Sequence, residues 1–166
     1  YTPVSGIWQQ VWMEQVPQSY IKNIKITPDE HSVHIEVEMN DSSSKPRGTI
    51  SVQLQDGSYR EWNIEQGEVY IDFSQITLES GAPYEIRTWS PQDPYLYHAN
   101  IVVGDDLIET YFALRRIAIM NIDGVNRVCL NGKPIFLNGV LDQGYFCDGI
   151  YLPAEEAEYE RDVWRM

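Results

Sequence analysis

Four glutamates near the end of the chain have the type and spacing that most directly suggest chemistry. They are Glu155, Glu156, Glu158 and Glu160. Two carboxylates held close together can serve as an acid, a base or a nucleophile. These four follow a proline at a point where a helix should begin, and acidic side chains in a first turn are stabilised by the helix dipole. We therefore interpret the cluster as the solvated start of a helix, and we predict no catalytic residue in it.

Histidines and cysteines are the next candidates, because both are common metal ligands. His31 and His34 are three residues apart, so a strand would point them to opposite faces, and His98 is remote in sequence. Cys129 and Cys147 do not have zinc-type spacing, and whether they form a disulfide stays open. The sequence therefore predicts no metal site and no cofactor.

Tryptophans could form a platform on which sugar rings stack. The chain has five of them, Trp8, Trp12, Trp62, Trp89 and Trp164. Large aromatic side chains are more often buried in cores or between domains, where their area contributes most. The favoured interpretation is therefore core and interface packing.

The balance of charge excludes one class of partner. The chain has 12 basic and 25 acidic residues, a formal net charge of -13, and 43% hydrophobic residues. A nucleic-acid partner needs a clustered basic surface, so we predict no nucleic-acid binding. The chain has no uninterrupted apolar run of about 18 residues, and we predict no membrane partner. The hydrophobic content is typical of a globular core, and uncharged sugars remain compatible with the acidity.

Alternating apolar and polar residues dominate the middle of the chain. Such a period of two predicts strands with one buried and one solvated face, joined by turns such as Asp56-Gly57. Predicted strands cover residues 20–26, 33–39, 50–55, 59–64, 69–73, 95–103 and 107–119. About seven short strands without a convincing helix predict an all-β fold, an antiparallel sandwich of the immunoglobulin type.

Both ends of the chain depart from this pattern. Residues 1–15 contain an apolar burst around Trp8 and Trp12, which is typical of the last strand of a preceding domain. After Asp123, a hairpin signal at residues 131–134 leads into an apolar run at 135–137, a glycine-rich loop and the start of a helix. A strand, a loop and one helix cannot bury their apolar side alone. We therefore expect the chain to be cut from a longer protein.

Four blocks, taken in order, carry a family resemblance. They are SGIWQQVWME at 5–14, WSPQDPYLY at 89–97, ETYFALRRIAI at 109–119 and LNGKPIFLNGVLDQGY at 130–145. In this order and at these separations they resemble glycoside hydrolase family 2, the β-galactosidase, β-glucuronidase and β-mannosidase group.

The resemblance implies a division into domains. Residues 1–15 would end a jelly-roll sugar-binding domain, 16–122 would be an immunoglobulin-like sandwich, and 123–166 would begin a TIM-barrel catalytic domain. It also implies that an arginine near Arg115 and Arg116 lies at a domain interface. The flanking domains and the oligosaccharide substrate of the parent enzyme would be the partners. The two catalytic glutamates of a retaining enzyme would lie beyond residue 166.

The loop after the first barrel strand provides the candidate binding residues. In a TIM barrel such loops form the active-site face. The resemblance therefore implies that Asp142, Gln143 and Tyr145 line the sugar pocket of the parent, through hydrogen bonds and ring stacking. A structural turn built on Gly139 and Gly144 is the alternative.

The predicted function is that of a non-catalytic sandwich domain from a retaining β-glycosidase. Two alternatives stay open. Exposed aromatic residues in a row on one sheet face would favour a stand-alone carbohydrate-binding module. An unpaired, apolar edge strand would favour a protein-binding sandwich.

Overall fold

The computed structural model describes residues 3, 5–7, 9–41 and 45–166. These residues divide into two compact units. One unit, Val16–Phe136, is called the sandwich unit below. The other combines the described residues before Val16 with the segment Leu137–Met166, and it is called the loop–helix unit.

Two antiparallel sheets make up most of the sandwich unit. The first contains β1 (Ile21–Pro28), β2 (Ser32–Met39) and β5 (Glu68–Asp72), in the order β1-β2-β5. The second contains β3 (Gly48–Gln53), β4 (Tyr59–Ile64), β6 (Tyr97–Val103) and β7 (Asp106–Phe112), in the order β4-β3-β6-β7. Three strands against four confirm the predicted all-β sandwich of about seven strands.

The predicted strands agree with most of the observed ones. Strand β2 alternates buried and partly exposed residues over most of its length, and the β3–β4 hairpin turns at Asp56-Gly57 as expected. Of the loop predicted at 41–48, residues 42–44 lie outside the described part of the chain, and residue 48 already begins β3.

Side chains from both sheets form one core. Val33, Ile35, Ile50 and Ile101 have no exposed surface. Phe73, also fully buried, lies within 5.0 to 6.3 Å of four other aromatic rings, measured between ring centroids. Those rings belong to Trp62, Tyr84, Tyr97 and Phe112. The apolar positions of the alternating strands therefore meet where the sequence predicts.

One buried carboxylate connects the two sheets. The backbone N–H of Ile21, at the start of β1, donates to Oδ2 of Asp106 at 2.7 Å. Asp106 is the first residue of β7 and is 8% exposed. A charged acceptor satisfies an amide at an edge where the ladder gives it no partner, and such a bond is stronger than one between neutral groups.

A glycine lies where two strands of the larger sheet approach closely. Gly48 begins β3, which pairs with β6. A Cβ added to Gly48 would lie 2.2 Å from the carbonyl oxygen of Val102 and 2.8 Å from Cγ2 of Val103. No side chain fits between the strands at this point without moving the backbone.

The prediction of one continuous last strand over residues 107–119 is wrong. Strand β7 ends at Phe112, and Ile117–Ile122 forms β8 in a separate three-stranded sheet. Leu114, between them, is fully buried, and its carbonyl accepts from the N–H of Trp89 at 2.9 Å. This inward turn ends the pairing with β6, so the chain leaves the sandwich there.

The small sheet has the order β10-β9-β8, where β9 is Val125–Leu130 and β10 is Lys133–Pro134. The hairpin signal at 131–134 is confirmed, but the strand expected over 135–137 is wrong, because β10 ends at Pro134. The N–H of Ile135 still donates to Val128 at 2.9 Å, whereas Phe136 is 91% exposed and unpaired with any strand. The domain boundary predicted after residue 122 falls in the β8–β9 turn, inside the sandwich unit, and it stays a prediction.

The loop–helix unit has one helix, α1 (Ala157–Arg165), as the acidic run predicted. None of its residues is buried. Residues 9–15, part of the predicted end of a preceding domain, form neither helix nor strand, and Trp8 lies outside the described residues. None of the described helical residues forms a stretch with the length and apolarity needed to span a bilayer.

Candidate functional site

The predicted binding loop is a turn closed by its own aspartate. Oδ1 of Asp142 accepts from the N–H of Gly144 at 2.8 Å, and Gly144 has a φ of 59°. This side chain–backbone bond two residues ahead is typical of an Asx turn, and the positive φ suits glycine. Asp142 and Gln143 are exposed beside it.

Tyr145 continues from this turn into an aromatic loop. Its ring packs edge-on against Tyr151, with centroids 6.2 Å apart, and 40% of the residue is exposed. Phe146 forms a two-way backbone bridge with Ile150 and packs edge-on against Tyr159 at 5.6 Å. The loop thus holds the three predicted residues within four consecutive positions. Their role toward a sugar stays a prediction.

Three of the family-like blocks meet at a cluster here called the block junction, formed by Trp89, Arg115 and Asn131. The guanidinium of Arg115 lies 5.0 Å from the centroid of the Trp89 ring. The side-chain amide of Asn131 donates to the Trp89 carbonyl at 3.0 Å and accepts from the Arg116 N–H at 3.0 Å. Asn131 adopts a φ of 50°, which asparagine tolerates better than most residues. These contacts therefore hold the small sheet against the two sandwich sheets.

A second cluster fixes the proline-containing block. Arg87 donates to Asp93 through two nitrogens, and its guanidinium lies 4.4 Å from the centroid of the Tyr95 ring. The hydroxyl of Tyr97 accepts from the N–H of Arg87 and donates to its carbonyl, both at 3.1 Å. The hydrogen bond from Arg87 lowers the pKa of Asp93 below its ordinary value. Burial raises the pKa of Tyr84, which contacts the Tyr97 hydroxyl.

A cavity of about 550 Å³ lies beside this cluster. Its lining includes Arg87, Asp93 and Tyr95, together with Gln53 and His98. The depression is shallow and open to solvent, and it combines a partly buried aromatic ring with an ion pair and amide groups. Sequence reasoning missed this cavity, because its walls come from segments that are distant in the chain.

The outer face of the four-stranded sheet carries a row of aromatic and polar side chains. Tyr59 pairs with Gln53, and His98 pairs with Tyr111. The β3–β6 pairing runs to Val52 and Ala99, the residues next to Gln53 and His98, so the four side chains lie at about one level across the sheet. Tyr59 is 56% exposed and Tyr111 is 61% exposed. The signal that could have found this row is the alternation of each strand, but only the strand order aligns the four positions.

The other sequence candidates lie apart from these clusters. Glu158 forms an ion pair with Arg161 at 3.2 Å on α1, as a solvated helix face would. His34 contacts Glu68 at 3.1 Å on the smaller sandwich sheet. Among the described residues, no three His, Cys, Asp or Glu side chains are grouped as a metal site requires.

The cysteines and tryptophans differ in their surroundings. Both cysteines are free; Cys129 is buried and Cys147 is exposed. Trp62 packs on the sandwich core and Trp89 belongs to the block junction, as the packing interpretation predicts. Trp12 and Trp164 are 75% and 82% exposed, so neither belongs to a core within its own unit, and their packing against a neighbouring domain stays a prediction.

Comparison with known proteins places these features in a family context. The model of glycosyl hydrolases family 2 matches residues 19–115, more than half of the chain. A β-galactosidase from Pseudoalteromonas haloplanktis is 25% identical over 156 residues, which cover 82% of this chain and 14% of that protein.

Solved structures support the same fold. The β-glucuronidase of Faecalibacterium prausnitzii is 23% identical with a TM-score of 0.67, over 90% of this chain and 22% of that one. The β-glucuronidase of Ruminococcus gnavus bound to a C6-substituted uronic isofagomine is 16% identical with a TM-score of 0.63, over 90% of this chain and 24% of that one. The chain thus spans less than a quarter of the length of each of these three relatives. The matched segment coincides with the seven strands of the sandwich, and the chain belongs to glycosyl hydrolases family 2.

Proposed function

We propose that this chain supplies the non-catalytic sandwich domain of a longer retaining β-glycosidase, which hydrolyses terminal β-glycosidic bonds. The observation that carries the proposal is the coincidence of the family match, 19–115, with strands β1 to β7, which run from Ile21 to Phe112. The relatives are four or more times longer than the matched region, which supports a role as one domain of several.

The block junction supports a spacing role within that enzyme. Trp89, Arg115 and Asn131 are held by a cation–π contact and by hydrogen bonds to backbone groups, so they fix the direction in which the chain leaves the sandwich. In this proposal, residues 1–15 end a sugar-binding domain and residues 123–166 begin the catalytic barrel. Both neighbouring domains and the oligosaccharide substrate are the partners.

The turn at Asp142 gives the parent enzyme a contact with its substrate. Asp142 and Gln143 are exposed and polar, and the Tyr145 ring is held edge-on by Tyr151. A carboxylate and an amide can hydrogen-bond sugar hydroxyls, and a fixed ring can pack on a sugar face. The catalytic glutamate pair of the proposed enzyme lies outside this chain.

Activity measurements test the non-catalytic assignment. The purified chain should not release nitrophenol from p-nitrophenyl β-galactoside or β-glucuronide above the rate of a buffer blank. Turnover that copurifies with the folded chain, and persists through gel filtration, would refute the proposal. The gene region that follows residue 166 should encode two strand-end glutamates, and replacing either with glutamine should abolish turnover of the complete enzyme.

The contact with substrate has its own test in the complete enzyme. Asp142→Ala and Tyr145→Ala should each lower kcat/KM, whereas Asp148→Ala, an exposed aspartate on the same loop, should leave it unchanged. Unchanged kcat/KM in both test variants would remove these residues from the substrate site. That result would not affect the assignment of the sandwich as non-catalytic, because the nitrophenyl glycoside assay tests that assignment separately.

A further inference from the structure

The outer face of the four-stranded sheet is here called the tyrosine face, and it consists of the outward side chains of β3, β4, β6 and β7. We infer that the tyrosine face binds an extended, uncharged glycan chain. This inference goes beyond the proposed function, since it concerns binding by the sandwich itself and not hydrolysis. It is measured on this chain alone, so it can fail while the proposed function holds.

Two exposed aromatic rings mark the ends of the site. Tyr59 lies on β4 and Tyr111 on β7, the two edge strands of the sheet. Three strand spacings separate them, roughly 14 Å at the usual distance between neighbouring strands. Tyrosine offers an apolar ring face for the carbon–hydrogen face of a sugar and a hydroxyl for its polar edge. A ligand that uses both rings must be longer than one sugar residue.

Groups that donate and accept hydrogen bonds occupy the space between the rings. Gln53 and His98 lie between the tyrosines in the same row, and the His98 ring is 6.4 Å from the Tyr111 ring at a tilt of 59°. Ser51 and Asn100 pair with each other in the next row. Amide, hydroxyl and imidazole groups match sugar hydroxyls, which both donate and accept.

The charge of the face selects among polymers. Within these four described strands, none of the outward positions carries lysine or arginine. Glu61 and Glu109 flank the Ser51–Asn100 row on either side. Carboxylates accept hydrogen bonds from sugar hydroxyls but repel anionic chains, so the face fits an uncharged glycan and disfavours polyuronates and nucleic acids.

The cavity of about 550 Å³ continues the row at one side. Gln53 and His98 belong to both the row and the cavity wall. The positive charge of Arg87 in that wall is offset by its two hydrogen bonds to Asp93, so the cavity does not act as an anion site. It can accept one residue or branch of a glycan that lies across the row. The row and the adjoining shallow depression together offer a glycan more polar partners than the exposed tyrosines alone.

Affinity electrophoresis of the purified chain tests the inference. The gels contain β-1,4-galactan, hydroxyethylcellulose or, as the anionic comparison, polygalacturonate. The wild-type chain should be retarded by at least one of the two uncharged polysaccharides and not by polygalacturonate. The double variant Tyr59→Ala/Tyr111→Ala should bind about tenfold more weakly, as expected when the aromatic anchors of an interface are truncated.

A third exposed tyrosine gives the matched control. Tyr70 is 64% exposed on β5, in the other sheet, so Tyr70→Ala should be retarded like the wild type. Circular dichroism is the check that each variant is folded. No retardation by either uncharged polysaccharide, equal retardation of the double variant and the wild type, or equal weakening by Tyr70→Ala would overturn the inference.

Two further measurements distinguish an extended glycan from other ligands of the tyrosine face. Calorimetry with galactose and with galacto-oligosaccharides should show affinity that rises with chain length. A monosaccharide that binds as tightly as the oligosaccharides would confine the site to the cavity and overturn the extended row. Analytical ultracentrifugation tests self-association: a wild-type dimer that the double variant abolishes would make the tyrosine face an interface between copies, and would likewise overturn glycan binding.

Discussion

In the sandwich unit, Ile35, Ile50 and Phe73 have no exposed surface, whereas Leu141 and Trp164 in the loop–helix unit are 88% and 82% exposed. Every buried apolar side chain of the described residues lies between Ile21 and Leu130. Apolar burial is the dominant favourable term in folding. The sandwich unit therefore contributes most of the folding free energy, and matched substitutions in the two units can measure the difference.

The largest effect is expected for aromatic truncation. Phe73→Ala removes a fully buried ring that contacts four others, and it should lower the free energy of unfolding by about 3–5 kcal/mol. Trp164→Ala removes a larger but exposed ring and should change that free energy by less than about 0.5 kcal/mol. Urea unfolding followed by circular dichroism measures both. Equal losses would contradict the assignment of the core to the sandwich unit alone.

A pair of aspartates makes the same bond in the two units. Asp106 accepts the Ile21 N–H at 2.7 Å while buried, and Asp142 accepts the Gly144 N–H at 2.8 Å while exposed. Asp106→Ala leaves a buried amide without an acceptor and should cost about 2–3 kcal/mol of unfolding free energy. Asp142→Ala leaves the Gly144 N–H free to bond to water, so it should lower the free energy of unfolding by less than about 0.5 kcal/mol. Asp105→Ala, at the exposed neighbour of Asp106, is the control. If Asp105→Ala lowered the free energy of unfolding as much as Asp106→Ala, the loss would come from the β6–β7 turn and not from the bond to Ile21.

Substitutions at two residues with positive φ should change stability in opposite directions. Asn131, at 50°, makes two side-chain bonds to backbone groups, so Asn131→Ala should destabilise the sandwich unit by about 2 kcal/mol. Ile150, at 65°, is β-branched and strained, so Ile150→Asn should stabilise its loop by about 1 kcal/mol.

Thermal unfolding measures the first change, and amide hydrogen exchange at Phe146 and Ile150 measures the second. Asn131→Gly keeps the backbone conformation but removes the bonds, so it separates strain from bonding at that site. Faster exchange in Ile150→Asn would show that the isoleucine side chain contributes more by packing than it costs in strain.

The smallest expected effect is the change in stability with pH that comes from the Arg87–Asp93 ion pair. Arg87 lowers the pKa of Asp93 in the folded chain. A carboxyl with a depressed folded pKa contributes its stabilisation fully above the ordinary aspartate pKa of about 3.9, and loses it as the pH falls through the lower folded value. The wild type should therefore be slightly more stable than Asp93→Asn above pH 4, and the two should converge in stronger acid. The pair is exposed, so the difference is small and should shrink in high salt.

The sequence predicts the sandwich well because alternation is a local signal that burial then satisfies. Residues 33–39 and 59–64 form strands at nearly the expected bounds. The break between β7 and β8 was missed because Ile117 and Ile119 continue the same β-branched character past the buried Leu114. Their exposure, 62% and 75%, depends on which sheet they join, and composition does not encode that choice.

The candidate sites show the same limit. The turn at Asp142 could be expected from its glycine two residues on, because an Asx turn is a local bond. Asp106 could not be identified as a buried acceptor, since its partner Ile21 is 85 residues away. Nor could the alignment of Tyr59 with Tyr111, because it requires the strand order β4-β3-β6-β7. Long-range pairing is where sequence patterns lose their predictive value.

Gly48 limits how this domain can be redesigned or diversified. Every outward position of β3 could be randomised to alter ligand preference, but the strand cannot accept even a methyl group at its first residue, 2.2 Å from the carbonyl of Val102. A library that grafts new surfaces onto the sheet must keep this one residue invariant. Gly48→Ala would wedge β3 away from β6, and clones with that change should drop out of any selection for soluble expression.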